Sequence, residues 1–437
     1  MNSDLNGKRL LVLGGTQISC EIIEKAKLMG INVIVTDYNT AENSPGKQIV
    51  DEHYLVSATD VDAVVSLIKE KSIDGVIVGF NDMLLPYYAE ICQRAGFPSY
   101  GTKEQFELFI NKDRYKALCR KHNVPTVEEY SIKVDASDNE LDKIKFPVLV
   151  KPADNSGSRG VFICDRKEEL KEKLNKALSF TKSGEVLVEQ YLTGEEVTVF
   201  FVFKDGEYYL TGIGNRHVKR IQENLLPLPV GYTYPASVTK SYIENILPNV
   251  KNMLSDAGIQ NGMMFMQCKV ENGVVVVYDI GFRLTASLEY RMFETACGYN
   301  PLEMMIRFAL TGKMVKNDEP LRINSHIGKY GYNLSFLAEP GKIEAINGIE
   351  EVQSMDGVAG VIVSHLPGEI ISENILGLLA QITVRVIGVA DTIEDLWEKV
   401  DKIQNTIKIL SEEQENMVHR KLERVDFESC LEKFERE

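Results

Sequence analysis

Scarcities in the chain exclude several classes of function before any motif is read. Cysteine is sparse and scattered: Cys20, Cys92, Cys119, Cys164, Cys268, Cys297 and Cys430 are odd in number and show no CxxC spacing. That pattern argues against a disulfide framework and against a structural zinc site. The six histidines show no metal-ligand spacing. No apolar run approaches membrane-spanning length, and the N-terminus MNSDLNGKRLLVLGG lacks the apolar core and cleavage site of a signal peptide, so a cytoplasmic location is expected. Positive charge is the minority sign, 49 Lys and Arg against 64 Asp and Glu, for a net charge of −15 and a pI near 5.1. Nucleic acid and anionic membrane are therefore poor partners, and an anionic ligand needs locally gathered lysines and arginines. The phosphate-loop pattern G-x-x-x-x-G-K-[ST], the nucleophile elbow G-x-S-x-G and the zinc helix H-E-x-x-H are missing too, and no internal repeat or low-complexity linker stands out.

What is present is an ordinary globular composition, 44% hydrophobic and 26% charged, over 437 residues, enough for two or three domains. Strand-like runs at 9–15, 32–37 and 74–79 alternate with helical periods at 19–29 and 60–71. This order predicts a parallel, Rossmann-like sheet over about the first hundred residues. Gly14-Gly15 followed by Asp37 fits a dinucleotide site, with the aspartate on a ribose hydroxyl. It fits equally a tight strand-to-helix turn with a strand-end carboxylate, because GGTQIS lacks the full G-x-G-x-x-G.

The stretch 146–161, FPVLVKPADNSGSRGV, is a short apolar strand that delivers Lys151 and runs into Ser156-Gly157-Ser158-Arg159-Gly160. Small residues let backbone N–H groups approach phosphate oxygens, and the lysine adds a full charge beside them. Upstream, NKDRYK opens a helix ending before Val124-Pro125, with its charges on a solvated face. The segment VLVEQYLTGEEVTV is strand, polar connection, strand, carrying Glu189 and Glu196. A hairpin turns at Asp205-Gly206, and the polar loop 215–234 gathers Arg216, His217, Lys219 and Arg220 as an anion clamp or a solvated surface. A second hairpin turns at Asn272-Gly273, and period-2 alternation puts Gln267 and Asp279 near the strand ends opposite the turn, with Arg283 just beyond. Oxygen donors on neighbouring strands suit a hard cation that bridges triphosphate oxygens. From about Lys316 a small antiparallel sheet and a helix over 392–410 are expected, with a charged tail at 412–437.

Lys112, Lys151 with its SGSRG loop, Glu189 and Glu196, Gln267, and Asp279 with Arg283, in that order, resemble the ATP-grasp superfamily, the carboxylate–amine and carboxylate–thiol ligases. The C-terminal segments PGKIEAINGIEEV and MDGVAGVIV are similar to the L-amino-acid ligase and biotin carboxylase branch. The resemblance implies an α/β (α+β) chain in three parts. These are a Rossmann-like domain at 1–105, an ATP-grasp domain at 106–315 with a lid at about 125–195, and a C-terminal antiparallel β/α domain at 316–437.

By position, the resemblance makes Lys112 and Lys151 phosphate-binding lysines and Ser156–Gly160 the loop that closes over the β- and γ-phosphates of ATP. It makes Glu189, Gln190 and Leu192 the adenine hinge and Glu196 the ribose-binding carboxylate. Gln267 and Asp279 fall at the magnesium ligands, and Arg283 at the arginine that steadies the transferred phosphoryl group. Two departures are visible: Gln267 is neutral where a carboxylate is usual, and Asp279-Ile280-Gly281-Phe282-Arg283 stands where Glu-x-Asn-x-Arg is usual. One Mg2+ is still accommodated by few protein ligands plus phosphate oxygens. LTASLEYR after Arg283 lacks the base glutamate used for bicarbonate, so a biotin carboxylase is not expected.

The activity implied is amide or peptide bond formation through an acyl-phosphate on small, amino-acid-like substrates, with release of ADP and phosphate. Arg216, Lys219, Arg220, Glu289 and Arg291 are candidates for reading a carboxylate and an amine, and related ligases are often homodimers. The alternatives are a catalytically weakened ATP-binding module and a Rossmann oxidoreductase using Asp37.

Overall fold

A computed structural model describes residues 4–130, 132, 136–153, 160–220, 225, 227–316, 321, 323 and 328–436. Its first layer is a parallel sheet of β1 (Arg9–Leu13), β2 (Asn32–Thr36), β3 (Glu52–Tyr54) and β4 (Gly75–Ile77), ordered β3-β2-β1-β4. RLLVL and NVIVT are near-continuous apolar runs because parallel strands are covered on both faces. The intervening helices Cys20–Leu28 and Val61–Glu70 follow the expected periods, the second capped by Asp60, which accepts the Ala63 N–H at 3.1 Å. Strand β3 escapes sequence reading because three residues, Glu-His-Tyr, carry no apolar signal.

A second, small antiparallel sheet contains β5 (Glu129–Tyr130), β6 (Val148–Pro152), β7 (Phe162–Cys164) and β8 (Val186–Gln190), ordered β5-β8-β6-β7. Val148, Val150 and Val188 pack with Leu170 and Leu174 of the helix Lys167–Leu178 in a core of their own.

The largest layer is built from β9 (Glu195–Lys204), β10 (Glu207–Lys219), β11 (Leu228–Tyr234), β12 (Gly262–Glu271), β13 (Val274–Gly281) and β14 (Tyr330–Leu337). The turn residues Asp205, Gly206, Asn272 and Gly273 have φ of 52°, 80°, 52° and 81°, the left-handed conformation that suits two-residue hairpins. Beyond them lie β15 (Gly341–Lys342), β16 (Ala345–Asn347), β17 (Val358–Val363), β18 (Ile370–Ile371), β19 (Ile382–Ala390) and β20 (Lys408–Leu410). Strands β14, β19 and β17 extend the same sheet, whose order is β13-β12-β9-β10-β11-β14-β19-β17; β15-β18 and β16-β20 form two ribbons.

Three expectations change here. The C-terminal strands were expected as a separate small sheet, but β14 pairs antiparallel with β11 and makes one continuous layer of eight strands. The expected loop at 215–234 is mostly strand, since β10 runs to Lys219 and β11 begins at Leu228. Its polar residues Arg216, His217 and Lys219 are only partly buried in the strand, and that pattern imitates a loop. The C-terminal helix stops at Thr406, because Ile407 turns extended and leads into β20.

Candidate active site

Two antiparallel neighbours of the small sheet, β6 and β8, bring Lys151 and Glu189 together: the Lys151 Nζ lies 2.6 Å from the Glu189 Oε2. The other Glu189 oxygen accepts from Lys116, which also donates to Glu129 Oε1 at 2.6 Å. Lys116 belongs to the helix Lys112–Lys121, capped by Asn111, which accepts the Arg114 N–H at 3.0 Å. The NKDRYK turn read as solvated, yet Lys116 is 0% exposed. Glu189 is buried as well, and although burial alone would raise its carboxyl, Lys151 and Lys116 hold it below the usual range. Burial pushes Lys151 down, Glu189 opposes the shift, and Lys116 and Lys112 add to it.

The second group forms on the hairpin β12–β13. Gln267 and Asp279 are direct cross-strand partners, beside a bulge between Gln267 and Cys268. Asp279 interacts electrostatically with Lys112, Lys151 and Arg283. Burial raises its carboxyl above the usual range, the two lysines and Arg283 oppose the rise, and Asp82 reinforces it. Arg283 grips Asp82 with two bonds, Nε to Oδ1 at 2.7 Å and Nη2 to Oδ2 at 2.8 Å, donates Nη1 to the Leu284 carbonyl at 2.8 Å, and stacks 5.1 Å from the Phe265 ring centre. That ring also explains Gly281: a Cβ there would lie 2.3 Å from Phe265.

Lys112, Lys151, Asp279 and Arg283 are thus brought together, with Gln267 beside Asp279. Glu196 is held by Arg216 and by Lys269 at 3.4 Å, while Arg216 donates Nε to the Tyr232 hydroxyl at 3.1 Å. The expected hinge is split. Glu189 turns its side chain to the lysines, the Gln190 N–H bonds the Glu128 carbonyl at 2.9 Å, and Leu192 is buried. Gly160 has φ +73° and a Cβ there would meet Phe180 at 2.6 Å, whereas Ser156, Gly157, Ser158 and Arg159 lie outside the described residues. Of the substrate candidates, Arg216 is committed to Glu196, Lys219 pairs with Glu423 at 2.5 Å and Asp426 at 3.0 Å, and Arg220 is exposed and interacts with Tyr191. Arg291 is clamped by Glu21 through two bonds of 2.9 and 2.8 Å, and Glu289 is buried.

Sequence reading missed Lys116, Asp82 and Lys269. Only Lys116 carried a signal, its i+4 spacing from Lys112, which puts both on one side of the helix. Asp37, the candidate ribose acceptor, spends one oxygen on the Gly15 N–H at 2.8 Å and the other on the Asn39 N–H at 2.6 Å.

Magnesium fits this donor set in part. Asp279 is a buried carboxyl that a cation would relieve, with the Gln267 amide directly opposite, but Phe265 fills the space where a ligand at position 281 would stand. Among the described residues no group of three or more His, Cys, Asp or Glu side chains could hold a metal. One ion shared with phosphate oxygens and water suits such a pair; two tightly held ions do not.

Lysines at a β-strand and a helix start, Lys151 and Lys112, thus lie near an acid at a hairpin end, Asp279. Residues 144–286 match the family model described as the ATP-grasp domain. The carbamoyl phosphate synthase large chain of Clostridium botulinum is 25% identical over 300 residues, which is 65% of this chain and 27% of that protein. This chain therefore spans about a quarter of that relative's length. Among solved structures, the L-amino acid ligase from Bacillus licheniformis superposes with a TM-score of 0.75 at 18% identity, covering 93% of this chain and 99% of the other. The biotin carboxylase domain dimer of the Hydrogenobacter thermophilus 2-oxoglutarate carboxylase, solved with MgADP and bicarbonate, gives 0.71 at 20% identity, covering 92% and 90%. These likenesses establish the fold.

Proposed function

We propose that the protein is an ATP-dependent carboxylate–amine ligase acting on small, amino-acid-like substrates. The observation that carries the reading is the convergence of Lys112, Lys151 and Arg283 on Asp279 at the end of one hairpin. A substrate carboxylate oxygen attacks the γ-phosphorus of ATP and ADP leaves, giving an acyl-phosphate. An amine then attacks its carbonyl carbon, and phosphate leaves. Phosphoryl transfer asks for positioning and charge neutralisation rather than covalent help. Lys112 and Lys151 supply fixed positive charge toward the phosphates, and Arg283 does so once released from Asp82. Asp279 and Gln267 would hold Mg2+, which supplies further charge neutralisation at the phosphate oxygens. Gln190 and Leu192 take the adenine and Glu196 the ribose in this reading, with Ser156–Gly160 closing over the phosphates.

The division at 105 and 315, a cytoplasmic location and a homodimer belong to the same proposal. The location draws on cysteines of which six are buried and Cys297 is exposed, and the dimer on the dimeric carboxylase domain; the boundary at 315 is crossed by the pairing of β11 with β14. A second reading, an ATP-binding module of weakened catalysis, is favoured by one observation, the Phe265 ring that closes position 281.

The deciding experiment measures ADP release against a panel of amino-acid pairs. The ligase reading expects turnover with at least one pair and a loss of about 100-fold or more in Lys151→Ala. Activity that survives that substitution removes the assignment, and nucleotide binding without turnover on any pair supports the binding module.

A further inference from the structure

One end of the great sheet carries charges that the phosphate cluster does not use. Glu289, in the first turn of the helix Glu289–Cys297, is 1% exposed and makes no ion pair among the described residues; only the Ser287 side chain and its own backbone N–H come near its carboxylate, short of good hydrogen-bond geometry. Beside it the Tyr234 hydroxyl of β11, also 1% exposed, is equally unpartnered. Arg385 of β19 stands near both; it donates to neutral groups, Asn333 Oδ1 at 3.2 Å and Ser335 Oγ at 3.4 Å, and among the described residues it makes no ion pair. The Asn333 amide ties this corner to the helix by donating to the Ser287 carbonyl at 2.6 Å. Burial pushes the Glu289 carboxyl up to about 7, with Ser287 and Arg385 acting against the shift.

Placement links this corner to the nucleotide site. Cross-strand pairing sets Lys269, Glu196, Arg216, Tyr232 and Asn333 side by side across five strands, and Ser335 and Arg385 are direct partners one step on. Directly opposed residues share a face, so one polar row runs from the β12 strand of the phosphate cluster to Arg385. A buried carboxylate that serves structure alone pairs with a neighbouring guanidinium, because leaving it without a charged partner is costly. Here they stand in one corner with no ion pair between them.

We infer that this corner is the amine-substrate pocket and that it takes an α-amino acid, the carboxylate lying on Arg385 and the ammonium group on Glu289. This rests on the ligase reading and adds the substrate class. Arg385 offers a planar fork of donors that matches a carboxylate, with Asn333 and Ser335 fixing its orientation. Glu289 takes one proton from the ammonium. The nitrogen lone pair then forms the C–N bond to the acyl-phosphate carbon as the C–O bond to phosphate breaks; phosphate leaves with that electron pair, and the second nitrogen proton ends on phosphate. Tyr234, Tyr290 and Arg385 are the ionisable groups that face Glu289.

The test uses the full chain with MgATP and the twenty L-amino acids, with glycine compared against methylamine and acetate as the two halves of a zwitterion. Thermal stabilisation by the same compounds in the presence of ADP is read alongside. For the amino acid that supports turnover, Arg385→Met should raise KM by about 10- to 150-fold while the ATP KM stays within twofold. Arg385→Lys should recover part of the loss. Glu289→Gln should lower kcat more than it raises KM and remove the limb of the pH–rate profile that Glu289 contributes. Methylamine matching glycine in the wild type, or both variants keeping the amino-acid KM and stabilisation within twofold, overturns the pocket and leaves the ligase reading standing. If no pair releases ADP, the ligase reading falls and the stabilisation data decide the pocket: amino-acid stabilisation lost in Arg385→Met supports it, and none in the wild type overturns it.

Discussion

Glu189 sits between two ammonium groups, and replacing it by glutamine measures what that arrangement contributes. The exchange keeps shape and one acceptor oxygen but removes the negative charge from a site where the side chains of Lys116, Glu189 and Lys151 are 0%, 2% and 9% exposed. Removing one partner of a buried ion pair costs about 3–5 kcal/mol. Lys116 keeps Glu129, and the glutamine oxygen still accepts one bond, which brings the expectation to about 2–3 kcal/mol. The loss should fall first on β6 and β8, so backbone hydrogen exchange of Val148–Pro152 and Val186–Gln190 should accelerate alongside a lower urea midpoint. Because the folded carboxyl is held below its ordinary 4.5, the difference from wild type should be full above that pH and shrink as pH falls through the folded value. The double change Glu189→Gln with Lys151→Met removes both charges and should lose less than the two singles summed. A single variant within about 0.5 kcal/mol of wild type, or strictly additive losses, refutes the reasoning.

Other consequences follow from single positions. Glu289 is buried with its carboxyl raised to about 7 from an ordinary 4.5, so the folded chain loses stability as pH rises between those values and holds the penalty above them. Glu289→Gln escapes that penalty, and its urea midpoint should rise relative to wild type between pH 5 and pH 8 by the equivalent of about 3 kcal/mol, whereas an equal difference at both pH values contradicts the assignment. Gly281→Ala should destabilise by about 1–3 kcal/mol, because its Cβ meets the Phe265 ring at 2.3 Å, and paired replacement with Phe265→Leu should recover part of the loss. Gly281→Asn should fail to add a second magnesium equivalent by titration calorimetry for the same steric reason.

Much of the fold was legible because its periods are plain. RLLVL, NVIVT and the Asn272-Gly273 hairpin follow local rules, and local rules decide them. What was lost shares one cause: residues facing a polar interior read as surface. Lys116 looked solvated although it is the most deeply buried lysine of the site, and Arg216-His217-Val218-Lys219 looked like a loop although it is strand. The pairing of β11 with β14 joins segments about a hundred residues apart, and no local pattern encodes such a partner. The same holds for Arg283 with Asp82, 201 residues apart in the chain. Ordered motifs singled out Lys112, Lys151 and Asp279, which lie near one another in the fold, because both lysines and the strand-end acid keep recognisable neighbours. Arg385 has none: it sits in QITVRVIGV as an unmarked charge in an apolar strand.

The unbroken run from β13 to β17 bears on how the chain can be cut or can flex. Ending the polypeptide after residue 316 would strip β14 from β11 and bare a row of amide and carbonyl groups, an invitation to strand-to-strand aggregation. The last third is therefore a fixed flank of a single plate and a poor unit for swapping between proteins. The four short strands that carry Lys151 and Glu189 form a separate sheet, and the chain leading into them is tied to the plate where the Val277 N–H meets the Pro125 carbonyl at 2.8 Å.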